Sequence, residues 1–539
     1  MWQGENFGVA LKAVAAGIDP SRPALIHGDR VVKWGELDAL SDAVAAALLA
    51  RGLKRGDIAG QMLRNTPDYL VAYFGAIKAG LVPVNVNYHY KDRELTDICQ
   101  RFGMKAIFTE SDFTEAASAA LGKSRQVIDV GSADWAAILA SEVPEDFSIH
   151  SDPEALFLTA TGGTTGMPKA VMWPFTQSWQ ANAISVWQRG FGEPPFIAAS
   201  LDEQVAEAAK IGPDHPASTS PTLLLSPLMH GAGQFYAVIQ LLKGGTLAFL
   251  PTPKFDAETA LSEIERLGAK TLFIVGDAFA MPLADALESH ADPAQALTSL
   301  RLIVSTGAAF SAVHKERLIA HQKALVVVDA LGSSESSGTA TVITTAAGSS
   351  GGGKFSAIPG RNTKLFDAEL NEIKPGDDGI GVVARSGPLP IGYLGEDEKN
   401  AKTFPVIDGV RYLMTGDQAR WAEDGTLDFL GRDNMCINTG GEKVFPEEVE
   451  AVLMEHEAVE DARVVSLPDA RFGRKIVAVV KPEGAPDNGL EQALDACARE
   501  GLAGYKIPRL YVFTDGSLRL NNGKPDYKTA QQLADEAVG

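Results

Sequence analysis

The sequence predicts an α/β protein with a large N-terminal domain of covered β-sheets, a small β subdomain and a small α+β C-terminal domain. Up to about residue 330, short apolar runs typical of buried strands alternate with helical stretches, which favours parallel sheets covered by helices. A turn-rich segment typical of short strands follows at about 359–430. From about residue 435 the predicted order becomes strand, helix, strand, strand, helix. We therefore place the N-terminal domain at residues 1–433 and the C-terminal domain at 434–539.

The elements of the N-terminal domain begin with a predicted hairpin around the turn Gly28-Asp29. Further strands are predicted at 82–87, 105–109, 126–130, 155–159, 222–226, 246–250, 271–275, 301–305 and 326–328. Helices are predicted at 36–50, 68–80, 234–242 and 257–267. Residues 190–220 lack periodicity and are predicted to form an insertion or a lid. Residues 348–353 are predicted to be a flexible break, which either leaves room for a bulky ligand or forms a disordered loop.

Charge and composition exclude several classes of protein. The chain has 539 residues, of which 45% are hydrophobic, so a sizeable core is expected. The net charge of −21 and the lack of a basic run argue against a nucleic-acid partner. Cys99, Cys436 and Cys497 fit neither a disulfide framework nor a metal site, which favours a reducing, cytoplasmic compartment. No signal peptide or transmembrane segment is expected, and peripheral membrane contact is left open.

The glycine-rich stretch 161–169 is the clearest candidate for a binding site. It follows the predicted strand 155–159, and glycines at such a position let backbone N–H groups approach an anion. The residues expected to contact a polyphosphate are Thr161, Gly162, Gly163, Thr164, Thr165, Gly166 and Lys169. The stretch is not a Walker A loop, because Pro168 precedes Lys169 and Ala170 follows it. Taken alone, it fits an ordinary surface loop equally well.

Further motifs follow this stretch along the chain. They lie at 227–231, 305–309, 329–335, 415–417, 431–450 and 520–526. Together with 161–169 they resemble the motifs of the adenylate-forming superfamily, the acyl-CoA synthetases and their relatives, in the right order and over nearly the whole chain. The residues at 161–173 and 436–443 are similar to a bacterial branch that includes ligases for steroid side-chain carboxylates and for bulky or long fatty acids.

The resemblance implies that several residues at predicted strand ends bind MgATP. Gly307 and Ala308 would pack against adenine, since they lack bulk. Asp417 would accept hydrogen bonds from both ribose hydroxyls, and Arg432 would support the sugar or the phosphate. Glu335 would hold Mg²⁺ against the triphosphate, because Mg²⁺ prefers oxygen ligands.

The motif at 329–335 differs from the family pattern at two positions. Leu331 replaces an aromatic residue and Ser334 replaces a threonine, which weakens the expected stacking on adenine but not the metal-binding role of the motif. The ATP-binding residues implied within it are Gly332, Ser333 and Ser334. In the motif at 227–231, the resemblance implies that His230 closes over the carboxylate substrate, whereas a single histidine at a strand end would otherwise be a packing residue.

The resemblance also implies that the C-terminal domain is mobile. Its hinge would fall at Asn434, where the family often has Asp or Lys. Gly440, Gly441 and Glu442 would form the loop that faces coenzyme A and the acyl-adenylate. Lys524, on a glycine turn, would reach the acyl carboxylate and the α-phosphate, where it would neutralise charge that develops in the transition state.

These roles together imply an AMP-forming, ATP-dependent acyl-CoA ligase. A carboxylic acid and ATP would give an acyl-adenylate and pyrophosphate, and coenzyme A would then give acyl-CoA and AMP, with Mg²⁺ as the metal. The acid is expected to be fatty or bulky, like a steroid side chain, and a homodimer is a family-level expectation. One alternative is an adenylation enzyme that loads an acyl carrier protein, although the sequence shows no carrier domain. The other is a non-enzymatic ligand-binding descendant, which would be expected to lack Lys524 or Glu335.

Overall fold

The computed structural model describes most of the chain. The described residues are 5–90, 92–122, 125–152, 154–161, 168–182, 198–211, 215, 220–350, 354–358, 362–432, 435, 437–439, 442–469, 473–485, 489–502, 504–520 and 523–538. Within them, two large sheets share a core of helices, a smaller antiparallel sheet follows, and an α+β unit comes last in sequence. The predicted fold class is confirmed.

The first large sheet is parallel at its centre. In spatial order its strands are Gly348–Ser349, Ser337–Thr345, Val326–Ser333, Leu302–Thr306, Thr271–Ile274, Thr222–Leu224, Leu247–Phe249, Pro23–His27 and Arg30–Lys33, with Ser356–Ala357 also paired to Ser337–Thr345. The strands from Val326–Ser333 to Pro23–His27 run parallel, whereas the strands outside them pair antiparallel. The apolar runs Thr271–Ile274 and Leu247–Phe249 are fully buried, as expected for strands that helices cover on both faces.

The second large sheet carries the predicted phosphate loop. In spatial order its strands are Gly392–Tyr393, Lys169–Pro174, Leu156–Thr161, Val82–Asn85, Ile58–Met62, Ala106–Thr109 and Gln126–Asp129. Leu156–Thr161 runs antiparallel to Lys169–Pro174, with Thr161 directly opposite Lys169. The stretch 161–169 therefore connects two neighbouring strands, as the sequence predicted for a loop that follows a strand.

Helices lie between the two large sheets and on their outer faces. Pro67–Lys78 is buried along its whole length and belongs to one apolar core with Gly231–Leu242 and with strands of both sheets. Separate cores lie on the outer face of each sheet. The described α-helices are Phe7–Gly17, Trp34–Ala50, Pro67–Lys78, Asp92–Arg101, Thr114–Leu121, Ala133–Leu139, Phe175–Asn182, Leu201–Ala209, Gly231–Leu242, Ala257–Leu267, Asp277–Ser289, Pro293–Ala296, Ala312–His321, Asp397–Thr403, Pro446–Leu453, Leu490–Gly501 and Tyr527–Glu536. Among these described helices, none is both long and apolar enough to cross a membrane.

A smaller antiparallel sheet forms the predicted β subdomain. Its strands, in spatial order, are Glu372–Ile373, Thr363–Phe366, Gly381–Arg385, Leu413–Trp421 and Leu427–Arg432. The last part of the chain forms a separate α+β unit with its own apolar cores. Its strands are Ile437–Thr439 paired with Glu442–Val444, and Val459–Asp469, Gly473–Pro482 and Leu510–Phe513 in one sheet. We call this part the C-terminal unit; the boundary between 433 and 434 stays a prediction, because both residues lie outside the described chain.

Two expectations about loops are tested only in part, because residues 190–197, 212–214, 216–219 and 351–353 lie outside the described chain. Gly348–Ser349 is not a flexible break but a short edge strand that pairs with Thr344 and Thr345 through backbone hydrogen bonds. It lies at the far end of Ser337–Thr345, roughly 25 Å along the strand from Ser337, so it does not offer space beside Glu335. Within 190–220, Leu201–Ala209 forms a capped helix that packs on the helix Phe7–Gly17, whose Gly17 contacts Val205.

Candidate active site

The turn that carries His230 is fixed by polar side chains on the helix Pro67–Lys78 and on the loop that precedes it. Asn65 donates from Nδ2 to the carbonyl of Ser226 (2.9 Å) and accepts from the N–H of Leu228 (2.7 Å). The hydroxyl of Tyr69 donates to the carbonyl of Leu228 (2.8 Å). These bonds satisfy backbone groups in a turn that would otherwise be free to move, and so they set the position of His230.

Asn85 joins the same turn to the strand that leads into the phosphate loop. Its Oδ1 accepts from the N–H of Ala160 (2.8 Å), and its Nδ2 donates to the carbonyl of Met229. Asn85 is the last residue of the strand Val82–Asn85. The structure shows that it also holds two parts of the candidate site at a fixed separation.

His230 is a neutral side chain next to Lys524. Burial, followed by the positive charge of Lys524 and the charge of His89, lowers the pKa of His230 to about 3. Its Nε2 is buried and has no hydrogen-bond partner among the described residues. The imidazole is therefore uncharged at neutral pH, and its Nε2 is left available for a hydrogen bond. The structure thus brings together the two residues that the sequence placed nearly 300 positions apart, His230 and Lys524.

Glu335 lies in the turn after the strand Val326–Ser333 and is held from two sides. The indole N–H of Trp173 donates to the carbonyl of Ser334 (2.8 Å), and the hydroxyl of Tyr393 donates to Oε1 of Glu335 (2.7 Å). A Cβ on Gly231 would lie 3.1 Å from Oγ of Ser334, so this turn is next to His230 in space. Glu335 and His230 therefore belong to one site.

The residues around Glu335 fit a magnesium ion that is shared with phosphates. No cluster of three or more His, Cys, Asp or Glu side chains occurs among the described residues, so a cage made of protein ligands alone is not present there. Mg²⁺ in nucleotide sites usually takes one or two carboxylates, phosphate oxygens and water. A carboxylate that accepts one hydrogen bond from Tyr393 keeps lone pairs for such an ion.

The predicted adenine turn lies beside the Glu335 strand. The hydroxyl of Thr306 donates to the carbonyl of Ala330 (2.7 Å), so Gly307 and Ala308 follow directly at the edge of the neighbouring strand. Gly307 has a φ of +89°, a conformation that glycine adopts without strain. A Cβ on Gly332 would lie 1.9 Å from the carbonyl oxygen of Ser337, so only glycine fits there.

The two residues of the predicted ribose anchor lie on neighbouring strands of the β subdomain. Asp417 and Arg432 are direct partners in the antiparallel pair of strands Leu413–Trp421 and Leu427–Arg432. The hydroxyl of Thr415 donates to Oδ2 of Asp417. A small cavity connects this anchor to the 329–335 motif, and its lining includes Leu331, Gly332, Arg385, Thr415 and Asp417. The cavity thus joins the residue assigned to the ribose, Asp417, to the motif that precedes Glu335.

The turn that carries Lys524 sits against the N-terminal part of the chain. Gly523 has a φ of +80°, and a Cβ there would lie 2.4 Å from the Cβ of Ala278. Arg519 pairs with Asp461 of the C-terminal unit (Nε to Oδ2, 2.8 Å) and lies 3.8 Å from Asp277 at the start of the helix Asp277–Ser289. These contacts dock the Lys524 turn in the orientation in which Lys524 is close to His230.

Several predicted residues cannot be placed. Those outside the described chain are Gly162, Gly163, Thr164, Thr165, Gly166, Asn434, Gly440 and Gly441. Their neighbours are described: Thr161 and Lys169 are opposite each other, as are Thr439 and Glu442. The roles of the loop, the hinge and the CoA-facing turn therefore stay predictions.

Comparison with known proteins decides the family. The family described as "AMP-binding enzyme" matches residues 13–393, and the "AMP-binding enzyme C-terminal domain" matches residues 448–524. The chain belongs to the AMP-binding enzymes. The adenylate-forming family identified from the motifs is thereby confirmed, and the chain is an enzyme of the AMP-forming acyl-CoA synthetase type. Enzymes of this type use ATP, Mg²⁺ and coenzyme A.

Similar proteins cover nearly the whole chain of this AMP-binding enzyme. A medium/long-chain-fatty-acid–CoA/3-oxocholest-4-en-26-oate–CoA ligase of Mycolicibacterium smegmatis is 35% identical over 96% of this chain and 94% of its own. A 3-oxocholest-4-en-26-oate–CoA ligase of Rhodococcus rhodochrous is 33% identical over 96% and 94%. The fold resembles the crystal structure of ATP-bound MatB from Rhodopseudomonas palustris, with a TM-score of 0.81, 23% identity and coverage of 99% and 100%.

The residues that position the site have no recognisable pattern in the sequence. Glu335 is held by Tyr393, and the carbonyl of Ser334 is held by Trp173. The His230 turn is held by Asn85, and the C-terminal unit is docked through Arg519. Each acts across a long separation in sequence, so no local pattern marks it. A tyrosine next to a glycine or a lone asparagine at a strand end is an ordinary occurrence in any chain.

Proposed function

We propose that this AMP-binding enzyme joins a medium- or long-chain fatty acid, or the carboxylated side chain of a steroid, to coenzyme A at the expense of ATP. The observation that carries the site assignment is the approach of Lys524 to the neutral His230, beside the turn that carries Glu335. The class of acid rests on what the similar ligases are named for.

In the first half-reaction, the acid carboxylate attacks the α-phosphate and pyrophosphate leaves. His230 is uncharged, so it closes the carboxylate side of the site without adding a charge, and its Nε2 offers one hydrogen bond. Lys524 supplies the positive charge where the α-phosphate oxygens become more negative, which stabilises the transition state more than the ground state. Asp417 holds the ribose, and Gly307 and Ala308 admit the adenine ring. Bound through Glu335, Mg²⁺ would neutralise charge on the phosphate oxygens.

In the second half-reaction, the thiol of coenzyme A attacks the acyl-adenylate and AMP leaves. The docked orientation of the C-terminal unit, with Lys524 close to His230, is the one in which the first half-reaction takes place. We propose that the C-terminal unit then rotates about Asn434, which withdraws Lys524 and presents Gly440, Gly441 and Glu442 to the acyl-adenylate. The docking contacts of Gly523 and Arg519 with Ala278 and Asp277 would break in this rotation.

A substrate panel tests the proposal. Acetate, decanoate, palmitate, benzoate and 3-oxocholest-4-en-26-oate are each incubated with MgATP and coenzyme A, and pyrophosphate and acyl-CoA are measured together. We expect equal amounts of both products with decanoate, palmitate or the steroid acid, and little with acetate or benzoate. Pyrophosphate without acyl-CoA, but with transfer to an acyl carrier protein, would support the carrier-loading alternative. No pyrophosphate with any acid would favour the non-enzymatic alternative.

Three further expectations stay predictions. The sequence favours a cytoplasmic location and leaves peripheral membrane contact open, and we propose a homodimer on family grounds alone. Light scattering on the purified protein, and sedimentation with lipid vesicles, would test the last two.

A further inference from the structure

A pair of lysines, Lys169 and Lys399, lies beside the Tyr393 ring whose hydroxyl binds Glu335, and of the two only Lys169 has been given a role so far. Lys169 begins the strand that follows the phosphate loop, and Lys399 lies on the short helix Asp397–Thr403. Both ammonium groups lie near the ring of Tyr393, with Nζ of Lys169 at 5.9 Å and Nζ of Lys399 at 5.4 Å from its centroid. The hydroxyl of that ring donates to Glu335 (2.7 Å).

The fold fixes Lys399 at this place. Gly392 and Tyr393 pair with Met172 and Val171 on the strand that Lys169 begins. Asn400 then ties its helix to Tyr393, because its Oδ1 accepts from the N–H of Tyr393 (2.6 Å) and its Nδ2 donates to the carbonyl of Tyr393 (2.8 Å). Lys399 precedes Asn400 directly, so its position follows from these two bonds.

The two lysines repel each other in the absence of an anion. Burial, and then the side chain and charge of Lys399, lower the pKa of Lys169, and Arg101 adds to this effect. Glu396 opposes it, but its carboxylate is paired with Arg101 (2.7 Å). Arg101 also donates to the carbonyl of Pro168 (3.1 Å), at the end of the phosphate loop. Among the described residues, Lys169 and Lys399 are thus the two positive groups at this place whose charge is not used in an ion pair with Asp97 or Glu396, both of which bind Arg101.

We propose that Lys399 and Lys169 together bind the terminal phosphates of ATP and the pyrophosphate that leaves. A multiply charged phosphate placed between the two ammonium groups replaces their repulsion with two charge-assisted hydrogen bonds. The anion lies near Glu335, where magnesium-bound phosphates belong. The inference rests on the proposed function only in that ATP is the source of the phosphates.

Direct binding tests the inference without an acid or coenzyme A. Inorganic pyrophosphate and MgATP are titrated into the full-length wild-type protein and into Lys399→Ala, Lys399→Arg and Lys402→Ala by calorimetry. Lys402 is an exposed lysine on the same helix and serves as the matched control. Because one charge-assisted contact is lost, Lys399→Ala should bind pyrophosphate and ATP with roughly tenfold lower affinity. Lys399→Arg should recover most of the binding, and Lys402→Ala should resemble the wild type.

A second measurement separates binding from a merely structural effect. The pKa of Lys169, followed by NMR after ¹³C-methylation of the lysines, should rise in Lys399→Ala, because a neighbouring positive charge is removed. Equal pyrophosphate binding by Lys399→Ala and Lys402→Ala would overturn the inference even if the enzyme makes acyl-CoA. If Lys399→Ala bound coenzyme A more weakly but ATP as tightly as the wild type, the inference would be wrong, and the lysines would instead bind a phosphate of coenzyme A. If Lys399→Ala no longer binds pyrophosphate but the wild type makes no acyl-CoA, the role of the two lysines is supported and the proposed function is wrong.

Discussion

The contact between Gly523 and Ala278 predicts that one methyl group should separate the two half-reactions. Gly523 precedes Lys524 and is buried against the start of the helix Asp277–Ser289. In Gly523→Ala the new methyl would lie 2.4 Å from the Cβ of Ala278, whereas ordinary contacts begin at about 3.4 Å. The Lys524 turn must therefore move away by about 1 Å before the C-terminal unit can dock.

The size of the effect follows from two separate terms. A φ of +80° at an alanine costs about 1–2 kcal/mol, but this strain belongs to the turn itself and is present in every orientation of the C-terminal unit. The clash with Ala278 exists only in the docked orientation. A displacement of about 1 Å at a catalytic group can lower a rate about 100-fold, so we expect that loss for adenylate formation.

The assay measures the two half-reactions apart. Pyrophosphate–ATP exchange with decanoate reports adenylate formation, and acyl-CoA formation from chemically prepared decanoyl-adenylate reports the second step. Gly523→Ala should lose the first activity about 100-fold and keep the second within about twofold, since only docking for the first step requires the contact.

The double variant Gly523→Ala/Ala278→Gly provides the control. Without the Cβ of Ala278, the nearest remaining atom of that residue is its Cα, at 3.9 Å from the new methyl. Adenylate formation should then recover most of its rate, although the backbone strain is unchanged. If the double variant is as slow as Gly523→Ala, or if both half-reactions fall equally, the docking argument is wrong.

Three further predictions concern single residues. Lys524→Ala should abolish adenylate formation while it still converts supplied acyl-adenylate to thioester, which the same two assays measure. Asp417→Asn should raise KM for ATP about 10- to 100-fold, because charge-assisted hydrogen bonds to the ribose are lost, and steady-state kinetics with ATP and 3′-deoxy-ATP measure this. His230 has a pKa of about 3 in the folded protein, compared with 6.5 when unfolded, so only the unfolded state gains its proton as the pH falls below 6.5. At pH 5, protonation of His230 in the unfolded state should therefore lower the free energy of unfolding by about 2 kcal/mol. Because His230→Phe lacks this group, its Tm should fall less than that of the wild type between pH 7 and pH 5.

Each of these has an outcome that would contradict it. Equal loss of both half-reactions in Lys524→Ala would argue against domain alternation. If Asp417→Asn still prefers ATP over 3′-deoxy-ATP as strongly as the wild type, Asp417 does not hold the ribose. If His230→Phe and the wild type lose the same Tm on acidification, His230 is not held neutral by its surroundings.

Sequence patterns predicted those residues of the site that short motifs and the order of strands bring together. Asp417 and Arg432 are fifteen residues apart, and a hairpin makes them direct partners, so a spacing in the sequence becomes a contact. His230 and Glu335 follow strands of a largely parallel sheet, whose carboxyl ends lie on one side. For such residues, the order of strands is enough to bring them together.

What the sequence did not predict depends on contacts between distant elements. Tyr393 reaches Glu335 because its strand pairs with Lys169–Pro174, and nothing in the local sequence specifies that pairing. The docking helix Asp277–Ser289 was missed because Pro282 lies inside it, and a proline normally ends a helical pattern. Gly348–Ser349 was predicted to be flexible from its composition, yet an available strand edge pairs with it.

Three consecutive residues, Gly276, Asp277 and Ala278, connect the turn assigned to adenine with the surface on which the C-terminal unit docks. Gly276 lies against the carbonyl groups of Ala308 and Ala309, in the turn assigned to adenine, so that a Cβ there would be 2.1 Å from the oxygen of Ala309. The next two residues contact the C-terminal unit. A shift of the adenine turn on nucleotide binding or release would therefore be transmitted to the docking surface over the length of one dipeptide. Thermodynamic linkage makes the effect reciprocal: a docked unit should hold nucleotide more tightly, and undocking should favour its departure.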